Sequence, residues 1–388
     1  MFLAALVLSL GLTPLTARLS ALLGAVDHPD ERKIHAKAVP RLGGLAMVFA
    51  LAVPLLLFLS LDRKLAGFLL GALIVSAAGL VDDIRRIPPA AKFACEVVAA
   101  SVFVGISGAT LGSLGDVFAL GEVRTGAMSP FVTVFCMVGV MNALNLSDGL
   151  DGLAGGISAI ACLFLGAFSY LNGDWFSVSL ALCLLGGVIG FLRYNTYPAS
   201  LFMGDTGSLL LGYSLGAIAV LMVQSDATAF RVTPVMVGTV LALPIVDTLM
   251  VMVRRVWLGG NPFHPDKTHL HHRLMNLGVP HEMVVPILYI AMGAFGFLAR
   301  VTHSWAEGAA FGAVLLFGGI IYGLTFLAQR RAWRLEKPGS SVWVARWGIM
   351  IGLLIPVIAF GPVFRTLSLI ALAAGSFVAA ISPWGSGR

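Results

Sequence analysis

Charge is what this sequence has least of. Only 11% of its 388 residues are Asp, Glu, Lys or Arg, against roughly 25% in a soluble domain. Hydrophobic residues make up 58% and the mean hydropathy is +0.94. That balance excludes a soluble protein with an enlarged core and leaves an integral membrane protein. Cysteine is scarce too. Cys95, Cys136, Cys162 and Cys183 all fall in apolar runs at unrelated spacings, which gives neither a disulfide framework nor a cysteine metal site. No GxxxxGK(S/T) loop occurs, which disfavours ATP-style phosphate binding. No soluble domain, low-complexity tract or internal repeat stands out. The net charge of +6 is mostly a topology signal, and a nucleic-acid partner is not expected.

What the chain has in abundance is apolar runs of about 20 residues, each able to cross roughly 30 Å of hydrocarbon as a helix. About thirteen are present, near 1–23, 42–61, 65–83, 90–107, 127–145, 152–172, 175–192, 206–223, 233–253, 283–300, 306–327, 345–361 and 366–382. The expected fold is an all-α polytopic bundle of about 11 core helices plus about 2 C-terminal ones. The first run has no basic residue before it, and Arg18 and a basic loop follow. It is expected to be a retained helix with its N-terminus outside. External loops then hold Arg63, Lys64, Arg124, Arg231, Arg300 and Arg365, and the other nineteen of twenty-five basic residues face the cytoplasm, as the positive-inside rule requires.

The acidic residues are not spread evenly. Most gather in segments that this topology places on the cytoplasmic face: "DHPDERKIHAKAVPRLGG", "GLVDDIRR", "MNALNLSDGLDGLAGG", "RYNTYPASLFMGDTGSLLLG", Asp247 inside the ninth run, and "NPFHPDKTHLHHRL". That coincidence points to one active site. Each element also has a plainer explanation. Asp82 and Asp83 could pair with Arg85 and Arg86 at a helix end. Adjacent helical residues point about 100° apart, so the two carboxylates are expected to do different jobs. Asn142, Asn145, Asp148 and Asp151 step by three along one face, or form a Gly-rich turn. Asp205 suits the N-cap of the eighth helix, where phosphate is also favoured. The histidines His269, His271 and His272 could bind zinc, line a solvated loop or bind phosphate. Carboxylates without cysteine suit Mg²⁺, which takes one or two carboxylates and completes its shell with waters and phosphates. Acids for a cation beside Lys33, Lys37, Arg41, Arg85 and Arg86 point to phosphoryl transfer. A site at the membrane edge suits one lipid and one water-soluble substrate.

From about Asp27 to Leu277 the sequence resembles the polyprenyl-phosphate N-acetylhexosamine-1-phosphate transferases, through "RKIHAKAVPRLGG", "GLVDDIRR", "NALNLSDGLDGLAGG", "YNTYPASLFMGDTGSLLLG" and "DKTHLHHRL" in the family's order. The resemblance implies transfer of a sugar-1-phosphate from a UDP-sugar to polyprenyl phosphate, with release of UMP. It implies catalytic Asp82, Asp83 and Asp205, with Asp205 and Asp83 on Mg²⁺ (Mn²⁺ as substitute). Substrate-side roles fall to Lys37, Arg86, Asn145, Asp148, Asp151, Asn195, Phe202, His269, His271 and His272. Arg86 stands where relatives of the peptidoglycan branch carry lysine. The "HLHHR" pattern looks like the branch using UDP-GlcNAc to start O-antigen, teichoic acid or related envelope glycans, rather than the branch moving phospho-MurNAc-pentapeptide. Another UDP-N-acetylhexosamine is the next alternative. An ion-coupled transporter is a different class, but its charges would sit near the midplane in repeat-related halves. The expected organisation is a membrane-embedded transferase domain over 1–327 and a C-terminal extension over 328–388. The expected setting is the bacterial inner membrane, with a second copy of the chain as an optional partner.

Overall fold

The computed structural model describes residues 1–27, 38–225, 230–261 and 268–331. Thirteen α-helices follow in order among them: α1 Phe2–Leu23, α2 Gly43–Phe58, α3 Arg63–Arg85, α4 Pro89–Ser107, α5 Ser129–Ser147, α6 Leu153–Asn172, α7 Trp175–Asn195, α8 Gly204–Val223, α9 Pro234–Val240, α10 Ala242–Trp257, α11 Leu270–Asn276, α12 His281–Thr302 and α13 Glu307–Arg330. The only sheet among the described residues is a two-residue antiparallel pair, β1 Val26–Asp27 with β2 Val39–Pro40. Nine of the described helices are long and apolar enough to span a membrane, and a tenth span is added if α9 and α10 are one bent crossing. The chain is a multi-pass helical membrane protein. The apolar runs 345–361 and 366–382, and Lys37, lie outside the described residues.

The ninth apolar run departs from a single straight span. It is two helices meeting at 82°. Pro244 is the reason at hand. Its ring has no N–H to donate one turn back, and it crowds the carbonyl there, so the two segments do not stack as one helix.

Helix α8 is the centre of the bundle, with 94% of its most apolar window buried. It packs principally on α2, α3, α5, α6 and α7. Two glycines set how close its neighbours come. A Cβ on Gly79 of α3 would lie 2.5 Å from the Thr206 nitrogen, and one on Gly44 of α2 would lie 2.2 Å from that of Gly207. Backbone therefore meets backbone at the first turn of α8. One helical turn beyond Gly79 stands Asp83, delivered to the same place.

At the opposite end of the bundle the contacts differ. Glu307 at the start of α13 accepts from the Asp116 nitrogen at 2.5 Å and lies 3.7 Å from Arg231. These groups tie loops together far from the carboxylate segments.

Candidate active site

The site grows from the start of α8. Asp83, whose side chain is fully buried, turns both oxygens toward that helix terminus. Oδ1 accepts from the Asp205 nitrogen at 2.9 Å, and Oδ2 accepts from the Thr206 nitrogen at 3.0 Å and its hydroxyl at 2.7 Å. Unpaired amide donors at a helix N-terminus favour an anion, which Asp83 supplies from another helix. Arg41 stands 3.5 Å from the same carboxylate.

Asp82 points elsewhere, as adjacent helical residues must. Its Oδ1 accepts from the Ile87 nitrogen at 2.7 Å, and its other oxygen is 3.8 Å from Lys92 Nζ. Its carboxyl faces that of Asp205, with Lys92 against both. Lys92 of α4 reaches across to Asp205 and donates to Asn145 Oδ1 at 3.3 Å. Asn145 Nδ2 donates to Asp205 at 3.2 Å and to Ser208 at 2.8 Å. Four helices thus contribute to one cluster: α3 gives Asp82, α4 Lys92, α5 Asn145 and α8 Asp205.

Two carboxylates in contact need a proton or a cation between them. Among the described residues no group of three or more His, Cys, Asp and Glu is arranged to hold a metal ion. Two facing carboxylates still fit Mg²⁺, which leaves most of its shell to water and substrate oxygens. In the geometry, the carboxylate opposite Asp205 is that of Asp82. The Asp83 oxygens, expected on the cation, accept from the α8 donors.

The remaining expected residues form the rim. Asp148 follows α5, and burial, with the charges of Asp205, Asp83 and Asp151, pushes its carboxyl up to about 8. Asp151 accepts from the Ala199 nitrogen at 2.9 Å. Asn195 is a brace: its Oδ1 accepts from the Gly152 nitrogen at 3.1 Å and its Nδ2 donates to the Leu201 carbonyl at 2.9 Å. Tyr289 of α12 donates to the Gly152 carbonyl at 2.6 Å. The Phe202 backbone is paired with Pro40 and Gly43 at 2.8 and 2.9 Å, which carries the Arg41 segment to the site. Arg86 ends α3 with φ 50° and its side chain is exposed.

The histidines come from α11 and the residue before it. His271 is buried against Gly149, where a Cβ would lie 2.6 Å from its Nε2. Burial, together with the neighbouring His272, lowers the His271 imidazole to about 3. It is therefore neutral at physiological pH. The His269 and His271 rings stack with centroids 5.9 Å apart, and His271 and His272 lie at 4.2 Å.

Sequence reasoning left out Lys92 and Glu96. The signal was present: two charges four residues apart in an otherwise apolar helix, where each charge is costly. Glu96 is buried and accepts from Asn142. Tyr322 of α13, whose hydroxyl donates to Asp247, carried no such signal, since an aromatic in an apolar helix is ordinary.

Fold and site together define a membrane-embedded transferase with carboxylates at one end of a helical bundle. Residues 65–223 match the profile of glycosyl transferase family 4. The chain is 34% identical over 336 residues to a "Probable undecaprenyl-phosphate N-acetylglucosaminyl 1-phosphate transferase" of Bacillus subtilis, covering 85% of this chain and 92% of that protein. It is 33% identical over 349 residues to the "Decaprenyl-phosphate N-acetylglucosaminephosphotransferase" of Mycolicibacterium smegmatis, covering 81% and 85%. It is 27% identical over 325 residues to an "Undecaprenyl-phosphate alpha-N-acetylglucosaminyl 1-phosphate transferase" of Yersinia pestis, covering 81% and 87%. The chain belongs to glycosyl transferase family 4, and its similarity lies with these polyprenyl-phosphate enzymes.

Proposed function

We propose that this protein transfers GlcNAc-1-phosphate from UDP-GlcNAc to a polyprenyl phosphate, releasing UMP and starting an envelope glycan. The reaction would take place at the cytoplasmic face of the bacterial inner membrane. The observation that carries this reading is the meeting of Asp82, Asp205 and Lys92 beside Asp83 at one end of an apolar bundle. A lipid phosphate can reach such a place from the bilayer and a nucleotide sugar from water. The names of the relatives above support the donor and the acceptor.

Phosphoryl transfer of this kind is positioning and charge stabilisation. The acceptor phosphate attacks the β-phosphorus of the UDP-sugar, a P–O bond forms, and the bond to UMP breaks. The anomeric C–O bond is untouched, so anomeric configuration is retained. One diphosphate replaces another, so the step is close to reversible. A Mg²⁺ held by Asp205 and Asp82 would neutralise diphosphate charge. Lys92 and Arg41 add fixed positive charge. Asp82 is assigned to orient or deprotonate the acceptor phosphate. Asp83 is a poor nucleophile here, because attack would take its oxygens from the α8 donors. Direct attack is therefore favoured over an acyl-phosphate intermediate.

The test is incubation of purified protein with a panel of UDP-sugars, polyprenyl phosphate and Mg²⁺, with mass analysis of the lipid. UDP-GlcNAc is expected to give lipid-diphosphate-GlcNAc, with EDTA abolishing and Mg²⁺ or Mn²⁺ restoring turnover. Turnover of UDP-MurNAc-pentapeptide alone would move the protein to the peptidoglycan branch. Exchange of labelled UMP into UDP-GlcNAc by delipidated enzyme would overturn direct attack.

A further inference from the structure

Asp247 lies in α10, buried and outside the carboxylate cluster. A carboxylate inside an apolar segment is expensive unless something needs it. Three donors from two segments converge on it. His269 Nδ1 is 2.8 Å from Oδ2, the Leu270 nitrogen is 2.8 Å from Oδ1, and the Tyr322 hydroxyl of α13 donates to Oδ1. Arg273 of α11 lies over the Tyr322 ring at 5.4 Å and donates to the Thr268 carbonyl at 2.8 Å, which ties the histidine segment to α13.

The chemistry fixes the ring. An ionised carboxylate only accepts, so His269 Nδ1 carries the hydrogen between them. That settles the tautomer and the plane of the imidazole, and leaves Nε2, on the ring's far edge, for another partner. From His269 the contacts run inward. Its ring stacks on His271, His271 abuts Gly149, and the same loop begins one turn after Asn145, which binds Asp205.

We propose that Asp247 is the positioning residue of the histidine segment: with Tyr322 behind it, it holds His269 in one tautomer and orientation, so that Nε2, the acceptor in that tautomer, receives a hydrogen bond from a hydroxyl of the nucleotide-sugar donor. The proposal rests on the transferase reading above. It assigns α13 a part in donor binding through Tyr322, with no contact to substrate.

Asp247→Asn keeps the size and one acceptor oxygen but can turn an amide N–H toward His269. On purified full-length protein, kcat/KM for UDP-GlcNAc is expected to fall on the order of 10–100-fold, the range known for carboxylates behind metal-binding histidines. The KM for polyprenyl phosphate should stay within about twofold, because only donor contacts are lost. His269→Gln should resemble it, and Asp247→Asn with His269→Gln should be no worse than the more damaged single variant. Tyr322→Phe removes one hydrogen bond and should lower donor kcat/KM by about three- to tenfold, and that loss should vanish when His269 is already Gln. The Tyr322–His269 cycle carries the same decision if Asp247→Asn does not fold. Losses that multiply across either cycle, or that fall equally on both substrates, would show that Asp247 is only a brace and overturn the proposal. Wild-type protein that releases no UMP from any UDP-sugar would sink the transferase reading and this inference with it; active wild type with multiplying losses sinks this inference alone.

Discussion

Two buried aspartates organise this molecule, and they do it in the same way. Asp83 on α3 and Asp247 on α10 each reach across to the start of another helix, each accepting from its backbone and from a side chain. They differ in what hangs on that helix. The segment held by Asp83 begins with Asp205, which faces Asp82 and Lys92. The segment held by Asp247 carries His269 and His271, the latter against Gly149. One aspartate sets the reacting centre and the other sets its rim. A buried carboxylate in a membrane helix can thus fix where another helix begins.

The largest effect should come from breaking the first of the pair. Asp83→Ala leaves the α8 donors and Arg41 without their partner, a type of loss worth about 3–5 kcal/mol. Turnover is expected to drop at least about 10³-fold, well beyond the loss for Asp247→Asn. Equal losses for the two variants, measured as UMP release, would erase the distinction between centre and rim.

Gly79→Ala tests whether close approach at α8 sets the centre. The added Cβ would press on the Thr206 nitrogen at 2.5 Å, and backbone cannot yield cheaply. Overpacking of this kind costs about 1–3 kcal/mol. A lower melting temperature in detergent and a tenfold or greater loss of turnover, on the order of 1.4 kcal/mol, are expected together. Unaltered melting and turnover would show that α3 and α8 can separate without consequence.

The rim should be the acid-sensitive part. His271 is held neutral down to about 3, while the unfolded chain takes up its proton near 6.5. The unfolded state then binds more protons between those values, so stability is complete above about 6.5 and declines as pH falls toward about 3. The slope from this residue is at most about 1.4 kcal/mol per pH unit. Thermal melting across pH 4–7 should be flatter in His271→Gln than in the wild type; parallel profiles would remove His271 as the cause.

The smallest effect is expected at the far end of the bundle. Glu122 pairs with Arg124 at 3.0 Å in an exposed loop. Exposed pairs contribute little, so Glu122→Ala should leave turnover within about twofold of the wild type. A larger loss would show that the ends are coupled.

Much of this was legible in the sequence, for a physical reason. Hydrocarbon forbids unpaired backbone, so apolar runs must be helices, and the eleven runs through 306–327 correspond to α1 to α10, α12 and α13 with one break, while the short α11 lies in the histidine segment between two runs. Pro244 was visible as the cause of that break, but proline alone does not say whether a span kinks or turns. The carboxylate segments were legible because charge is scarce here. Their division of labour was not. That Asp82 and Asp83 differ follows from helix geometry, whereas which of them meets α8 depends on Gly79 and on how α3 rolls against its neighbour. Lys92 was hidden by treating each apolar run as uniform. Asp247 stood out as a charge, yet its partners His269 and Tyr322 lie 22 and 75 residues away, and no local pattern links them.

The burial of α8 has a consequence for biogenesis. Its principal neighbours, α2, α3, α5, α6 and α7, all precede it in the chain, and domains generally form N-terminal parts first during synthesis. A helix carrying Thr206, Ser208 and Ser214, all buried, is a poor match for lipid but a good one for a waiting cleft. The ring is therefore threaded into the membrane before its axle. Asp83 has no helix terminus to hold until Asp205 and Thr206 emerge, so the catalytic centre is completed by the arrival of the last of these six segments.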